Sequence, residues 1–159
     1  MKASEQSNKS LKVCVAASAG GHLIQLLQLW PSWQQYEVIY VTTGTEVAGR
    51  LNKAGRIYTV SDCNRQHLWH VVKAFFRCAK IALGERPDVV ISTGAAPGLL
   101  MCIWGKITGA KVVWIDSITN TQRLSLSGRL VRPFADLLLT QWQELAGKHK
   151  KAEYAGQII

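Results

Sequence analysis

In residues 11–30, LKVCVAASAGGHLIQLLQLW, one hydrophobic pattern gives way to another across a pair of glycines. Residues 11–17 form a near-continuous apolar run of strand length, as expected of a strand buried on both faces of a parallel sheet. Beyond the glycines, Leu23, Leu26, Leu27 and Trp30 recur at i, i+3, i+4 and i+7. That is one face of a helix, which Pro31 ends. Between them Ser18-Ala19-Gly20-Gly21-His22 is a tight strand-to-helix turn. The stretch is therefore one βα unit.

Working outward, the unit repeats. Short apolar runs rich in β-branched residues return at 37–43 (EVIYVTT), 56–60 (RIYTV), 88–92 (DVVIS), 111–115 (KVVWI) and 136–140 (DLLLT), with helix-period segments between them. Alternating β and α with short connections predicts an α/β fold: a Rossmann-like open parallel sheet with helices on both faces. The chain has 159 residues, 48% of them hydrophobic and 18% charged. This is ample for one core and excludes a disordered or low-complexity polypeptide. We expect a polar tail over 1–10 and a single domain over 11–159.

Nineteen Lys and Arg against ten Asp and Glu give a formal charge of +9. Such an excess suits a polyanionic partner: nucleic acid, an anionic membrane surface, or phosphorylated and diphosphate-linked substrates. Cys14, Cys63, Cys78 and Cys102 form no CxxC pair and read as reduced structural thiols of a cytosolic protein. The start, MKASEQSNKSLK, has no hydrophobic signal region, and the longest apolar stretch, 98–105, is far below the ~20 residues of a spanning helix. No metal-ligand cluster is visible, so no metal and no cofactor are expected.

In such sheets ligands bind beyond the carboxyl ends of the strands. Two glycine-bearing stretches fall there, Ser18 to His22 and Thr93-Gly94-Ala95-Ala96-Pro97-Gly98. Paired glycines let a ligand approach the backbone, and helix amides attract anions. Ser18, Gly20, Gly21, Thr93, Gly94 and Gly98 are thus candidate acceptor or phosphate contacts. The bland alternative is a turn that merely needs glycine. His22 stands at the lip of the first turn, and histidine is the side chain that changes charge near neutral pH. Asp116 and Ser117 follow the fifth strand, where a carboxylate can hold a sugar hydroxyl, assist a base, or simply cap a turn. A dinucleotide fingerprint is absent: AGGHL lacks the GxGxxG spacing, and the second strand ends Thr42-Thr43-Gly44 without an acid.

A long helix is expected over 67–84. His70, Lys73, Arg77 and Lys80 share one side of its wheel, while Leu68, Val71, Val72, Phe75, Ala79 and Ala82 lie opposite. Trp69 and Phe76 flank the boundary. Cations with aromatics on one face suit the interface of an anionic membrane, and also fit an ordinary solvated face. The helix at 99–107 is read as buried, with partial insertion in lipid as the alternative. No RNA- or DNA-binding signature appears, so nucleic acid is not an expected partner.

SAGGHLIQLL (18–27), PDVVISTGAAPG (87–98) and WIDSITNTQRLSLSGRLVRPFADLLLTQW (114–142) together resemble the PssD family of bacterial polysaccharide biosynthesis proteins. That family is similar to the acceptor-binding membrane subunit of the split N-acetylglucosaminyltransferase of asparagine-linked glycosylation. It is more distantly similar to the N-terminal half of MurG-type GT-B glycosyltransferases. The resemblance implies one half of a GT-B glycosyltransferase, divided between two polypeptides. This chain would bind a polyprenyl-diphosphate-linked glycan, and a PssE-like subunit would bind the nucleotide sugar. Together they would act as a hexosyltransferase or glucuronosyltransferase, with glucuronic acid, glucose or N-acetylglucosamine as the sugar, in exopolysaccharide or capsule biosynthesis at the inner face of the cell membrane. By the same resemblance His22 and Asp116 would carry the catalytic roles, although MurG-like chains have a longer first loop and Glu in the acidic position. The rival readings are a non-catalytic scaffold that recruits the partner to the membrane, and a stand-alone nucleotide-binding Rossmann-like protein.

Overall fold

The computed structural model describes residues 10–44, 55–61 and 68–158. Seven strands form one parallel sheet in the order β3-β2-β1-β4-β5-β6-β7. The chain runs β1 (Lys12–Ala17), α1 (Gly21–Gln28), a 3-10 turn (Trp30–Ser32), β2 (Glu37–Thr43) and β3 (Arg56–Val60). It continues through α2 (Leu68–Glu85), β4 (Val89–Gly94), α3 (Ala95–Ile107), β5 (Lys111–Ile115) and α4 (Leu126–Val131). It ends with β6 (Leu137–Thr140), α5 (Gln143–Lys148) and β7 (Ala152–Tyr154). All six expected strands are present within two residues of their expected bounds. Strand β7 was not expected, because AEY is too short to show a period. Except for Ser10, the expected tail lies outside the described residues, as do Cys63 and His67.

The strands read as continuous apolar runs because both faces are covered. In β1, Val13, Val15 and Ala17 join Leu23, Leu26 and Trp33 on one side of the sheet. Cys14 and Ala16 join Ala74, Cys78, Met101 and Cys102 of α2 and α3 on the other. The period of two along the strand thus feeds two cores. Cys14, Cys78 and Cys102 are buried. Burial pushes the Cys14 and Cys102 thiols well above their usual range, which keeps them protonated.

Helix α3 is buried, as expected of the 99–107 segment, and lies close on the sheet. A Cβ on Gly98 would come within 2.0 Å of Ser92 Oγ and 3.1 Å of the Ala16 carbonyl oxygen. Gly98 is therefore a packing glycine and not a ligand contact. On α2 the core face is Ala74, Cys78, Ala79, Ile81 and Ala82. Leu68 departs from expectation: Val71 and Val72 are already only half-buried, and Leu68, nearer the end, is 76% exposed. Among the described residues, no helix is long and apolar enough to cross a membrane.

Strand β1 pairs with β2 on one side and β4 on the other. Successive connections therefore leave in opposite directions between β1 and β4. That switch point opens a crevice at the strands' carboxyl ends. Both α1 and α3 begin there.

Candidate functional site

The first glycine turn is held from below. Thr43 Oγ1 accepts the Ala19 amide at 2.9 Å. Gly20 has φ +108°, a backbone that side chains rarely adopt, and it caps α1 with no side-chain hydrogen bond. Gly20 and Gly21 are exposed, and a Cβ on either would meet nothing within 4 Å. The first-turn amides have no acceptor inside the helix and carry the positive end of its dipole. Ser18 sits half-buried just before them.

His22 is fixed by the second stretch. Thr93 Oγ1 donates to the His22 carbonyl at 2.6 Å. The imidazole lies against Gly94, where an added Cβ would approach Cε1 to 2.7 Å and Nδ1 to 2.8 Å. Nδ1 is buried and has no hydrogen-bond partner among the described residues. His22 also lines the cleft described below.

This geometry revises the role of residues 93–98. Strand β4 runs through Gly94, and α3 starts at Ala95 without an intervening loop. The chain turns this sharply through Gly94, at φ +144°, and Ala95, at φ +62°. Thr93 and Gly94 serve the first turn and Gly98 serves packing. Only Ala95 and Ala96, at the uncapped start of α3, face the cleft.

Asp116 also departs from expectation. It is fully buried, and its carboxylate does not face solvent at the strand's tip. Its Oδ1 accepts from Ser125 Oγ at 2.5 Å and Trp114 Nε1 at 3.2 Å, and Oδ2 accepts the Ser125 amide at 2.9 Å. Ser125 Oγ in turn accepts the Gly128 amide and caps α4. A carboxylate with three donors and no exposed surface is a fastening for α4; it has no open oxygen to offer a substrate. Ser117 is likewise engaged, its hydroxyl 3.1 Å from that of Thr119.

Of these residues His22, Ala95, Ala96, Thr119 and Ser125 line a cleft of about 430 Å³, and Ser18, Gly20, Gly21, Thr93, Gly94, Gly98, Asp116 and Ser117 do not. His22, Ala95, Ala96, Asn120 and Ser127 supply its polar part, and Val71, Leu99, Leu126 and Leu130 its apolar wall. Asn120, Ser127 and the two leucines were missed from sequence, although LSLSGRL stood within the quoted block. The outer side of α2 matches expectation. Trp69 and Phe76 are each 66% exposed, Lys73 Nζ sits 5.8 Å from the Trp69 ring centroid, and His70, Arg77 and Lys80 are exposed. No cluster of His, Cys, Asp or Glu among the described residues could hold a metal ion.

A family model described as "Oligosaccharide biosynthesis protein Alg14 like" matches residues 45–158. The UDP-N-acetylglucosamine transferase subunit alg14 of Schizosaccharomyces pombe is 37% identical over 77 residues, 45% of this chain and 37% of that protein. The subunit of the same name from Yarrowia lipolytica is 26% identical over 141 residues, 80% and 62% of the two chains. The human one is 23% identical over 182 residues, 95% and 84%. The match thus spans less than two thirds of the length of the two fungal relatives. Among solved structures, Acinetobacter baumannii MurG superposes with a TM-score of 0.73 at 16% identity, over 91% of this chain and 45% of that one. The UDP-GlcNAc 2-epimerase of Methanocaldococcus jannaschii gives 0.68 at 14% identity, over 92% and 46%. At such identities the likeness is one of fold: this sheet corresponds to one Rossmann-like half of the two-domain GT-B arrangement. Family match and fold agree, and the chain belongs to the Alg14-like family of oligosaccharide biosynthesis proteins.

Proposed function

We propose that this chain is the acceptor-binding subunit of a two-component glycosyltransferase. With a donor-binding partner it transfers a sugar from a nucleotide sugar to a polyprenyl-diphosphate-linked glycan. One observation carries this reading: a single cleft joins the uncapped start of α3, His22 and an apolar wall. The start of α3 suits a diphosphate, the hydroxyls and amide suit a sugar, and the wall suits a polyprenyl chain. The relatives' names favour UDP-N-acetylglucosamine as donor over glucuronic acid or glucose. An exopolysaccharide or capsule setting with a PssE-like partner rests on the motif blocks at 18–27, 87–98 and 114–142. Peripheral attachment at the inner membrane face rests on the exposed cations and aromatics of α2.

In this mechanism the His22 imidazole takes the proton of the acceptor hydroxyl. The freed oxygen attacks the anomeric carbon, and the bond to the nucleoside diphosphate breaks, with the electron pair leaving on the diphosphate. Asp116 acts through α4 as a positioning residue. The single chain should show negligible transfer, because the donor half of the cleft is missing, and co-expression with the partner should restore it. In that complex His22→Ala should lower turnover by about 10² to 10⁴ while leaving subunit association intact. Robust transfer by the purified single chain overturns the split-enzyme reading. Near-normal turnover in the His22 variant moves the base to the partner and leaves this chain as a recruiting scaffold.

A further inference from the structure

The three helices around the cleft carry no acid where they border it. The sequence has no Asp or Glu over 68–84, 95–110 or 117–135. The same stretches hold Lys73, Arg77, Lys80, Arg123, Arg129 and Arg132, all exposed. Helix α3 packs against both α2 and α4, so these two flank it in one layer.

Helix α4 is firmly seated yet turns leucines outward. Gly128 and Val131 are buried beneath it, and Asp116 and Ser125 fasten its start. Leu126 and Leu130, four residues apart and so on one face, are 51% and 53% exposed. Both also form the cleft's apolar wall, across from Val71 of α2.

We infer that α4 is a second contact with an anionic lipid bilayer, standing across the cleft from α2. Leu126 and Leu130 enter the acyl region, and Arg123 and Arg129 meet the headgroups. Charge complementarity names this occupant: an acid-free, cation-rich surface with a small leucine crest fits a lattice of anionic headgroups over hydrocarbon. The cleft then opens at the membrane surface, between two inserted edges. An acceptor's polyprenyl chain reaches it along Leu126, Leu130 and Val71 without crossing water. The inference rests on the proposed lipid-linked acceptor and adds where its tail enters.

The test is a fluorophore placed at position 126 in full-length protein. Cys63→Ser with Leu126→Cys gives one reactive thiol, since Cys14, Cys78 and Cys102 are buried. Ser32→Cys, exposed on the opposite side of the sheet, is the reference. With vesicles of phosphatidylcholine and phosphatidylglycerol, the label at 126 should shift to the blue and be quenched by brominated acyl chains, and the label at 32 should not. Leu126→Ser with Leu130→Ser should weaken vesicle partitioning by about tenfold or more. An unquenched label at 126, with binding that persists and is lost in Lys73→Glu/Arg77→Glu, confines the contact to α2 and overturns the inference. A concentration-dependent shift without vesicles makes α4 a contact between copies and also overturns it. Absence of any vesicle binding by the unmodified chain overturns the peripheral-membrane reading as well. If the double serine variant misfolds, the labelling result still decides.

Discussion

Gly94 and His22 meet face to face, and that contact sets where the imidazole stands. A methyl group on Gly94 would press within 2.7 Å of the ring, on a backbone at φ +144° that resists any side chain. Gly94→Ala should therefore cost about 1–3 kcal/mol of stability and displace His22, lowering turnover of the complex. The two costs separate in a double-mutant cycle. In a His22→Ala background the ring is gone, so Gly94→Ala should cost only the backbone strain, and its penalty by urea denaturation should shrink. Equal penalties in both backgrounds would mean that the ring does not rest on Gly94. His22 was legible in the sequence because it directly follows paired glycines at a strand's end. The role of Gly94 was not, because its partner lies far away in the chain and glycine in a βα turn looks the same whether it cradles a ligand or a neighbouring side chain.

At the scale of the element, the same limit decides which parts of the fold were readable. Strands buried on both faces announce themselves as apolar runs, and α2 and α3 by their period, so sheet and layers followed from pattern alone. Helix α4 and strand β7 did not, since six and three residues give no period, and their order comes from tertiary fastening. For α4 that fastening is Asp116, whose carboxylate receives the Ser125 amide, the Ser125 hydroxyl and the Trp114 indole N–H. Asp116→Asn turns one acceptor into a donor facing donors, and should cost about 1.5–3 kcal/mol. Ser125→Ala removes the cap and should cost about 1 kcal/mol. Hydrogen exchange of the Gly128 and Arg129 amides should accelerate in both variants ahead of the rest of the sheet. Because Asp116 acts by position, the pH profile of residual turnover in Asp116→Asn should keep its original shape. Loss of its basic-side plateau or acid limb would return the base role to Asp116.

At the scale of the whole molecule, the ion pairs among the described residues lie at the amino edge of the sheet and beside β5 and β6. Glu85 receives a short hydrogen bond from Tyr58 and pairs with Lys12 and Arg56, and Arg56 also pairs with Glu37. Asp136 receives the Lys106 ammonium at 2.7 Å, the Val112 amide at 2.8 Å and Lys111 at 3.3 Å. Burial pushes the Glu85 carboxyl up, but Tyr58, Lys12 and Arg56 outweigh it and hold it below its ordinary value. Lys106 first, then the Val112 amide and Lys111, hold Asp136 well below the carboxylate range. A carboxyl depressed on folding stabilises the folded state fully above its unfolded pKa and loses that contribution as pH falls through the folded one. Both contributions are therefore complete above about pH 4.5 and drain away in stronger acid. Asp136→Asn and Glu85→Gln should each cost about 1–2 kcal/mol near neutral pH, less where the lysine partners are exposed. Urea midpoints for the variants and the parent should converge as pH is lowered, since acid protonates in the parent what mutation has removed. A constant gap between the curves down to strong acid would mean that these carboxylates stabilise the fold by packing. Convergence would mean that their paired charge holds the sheet.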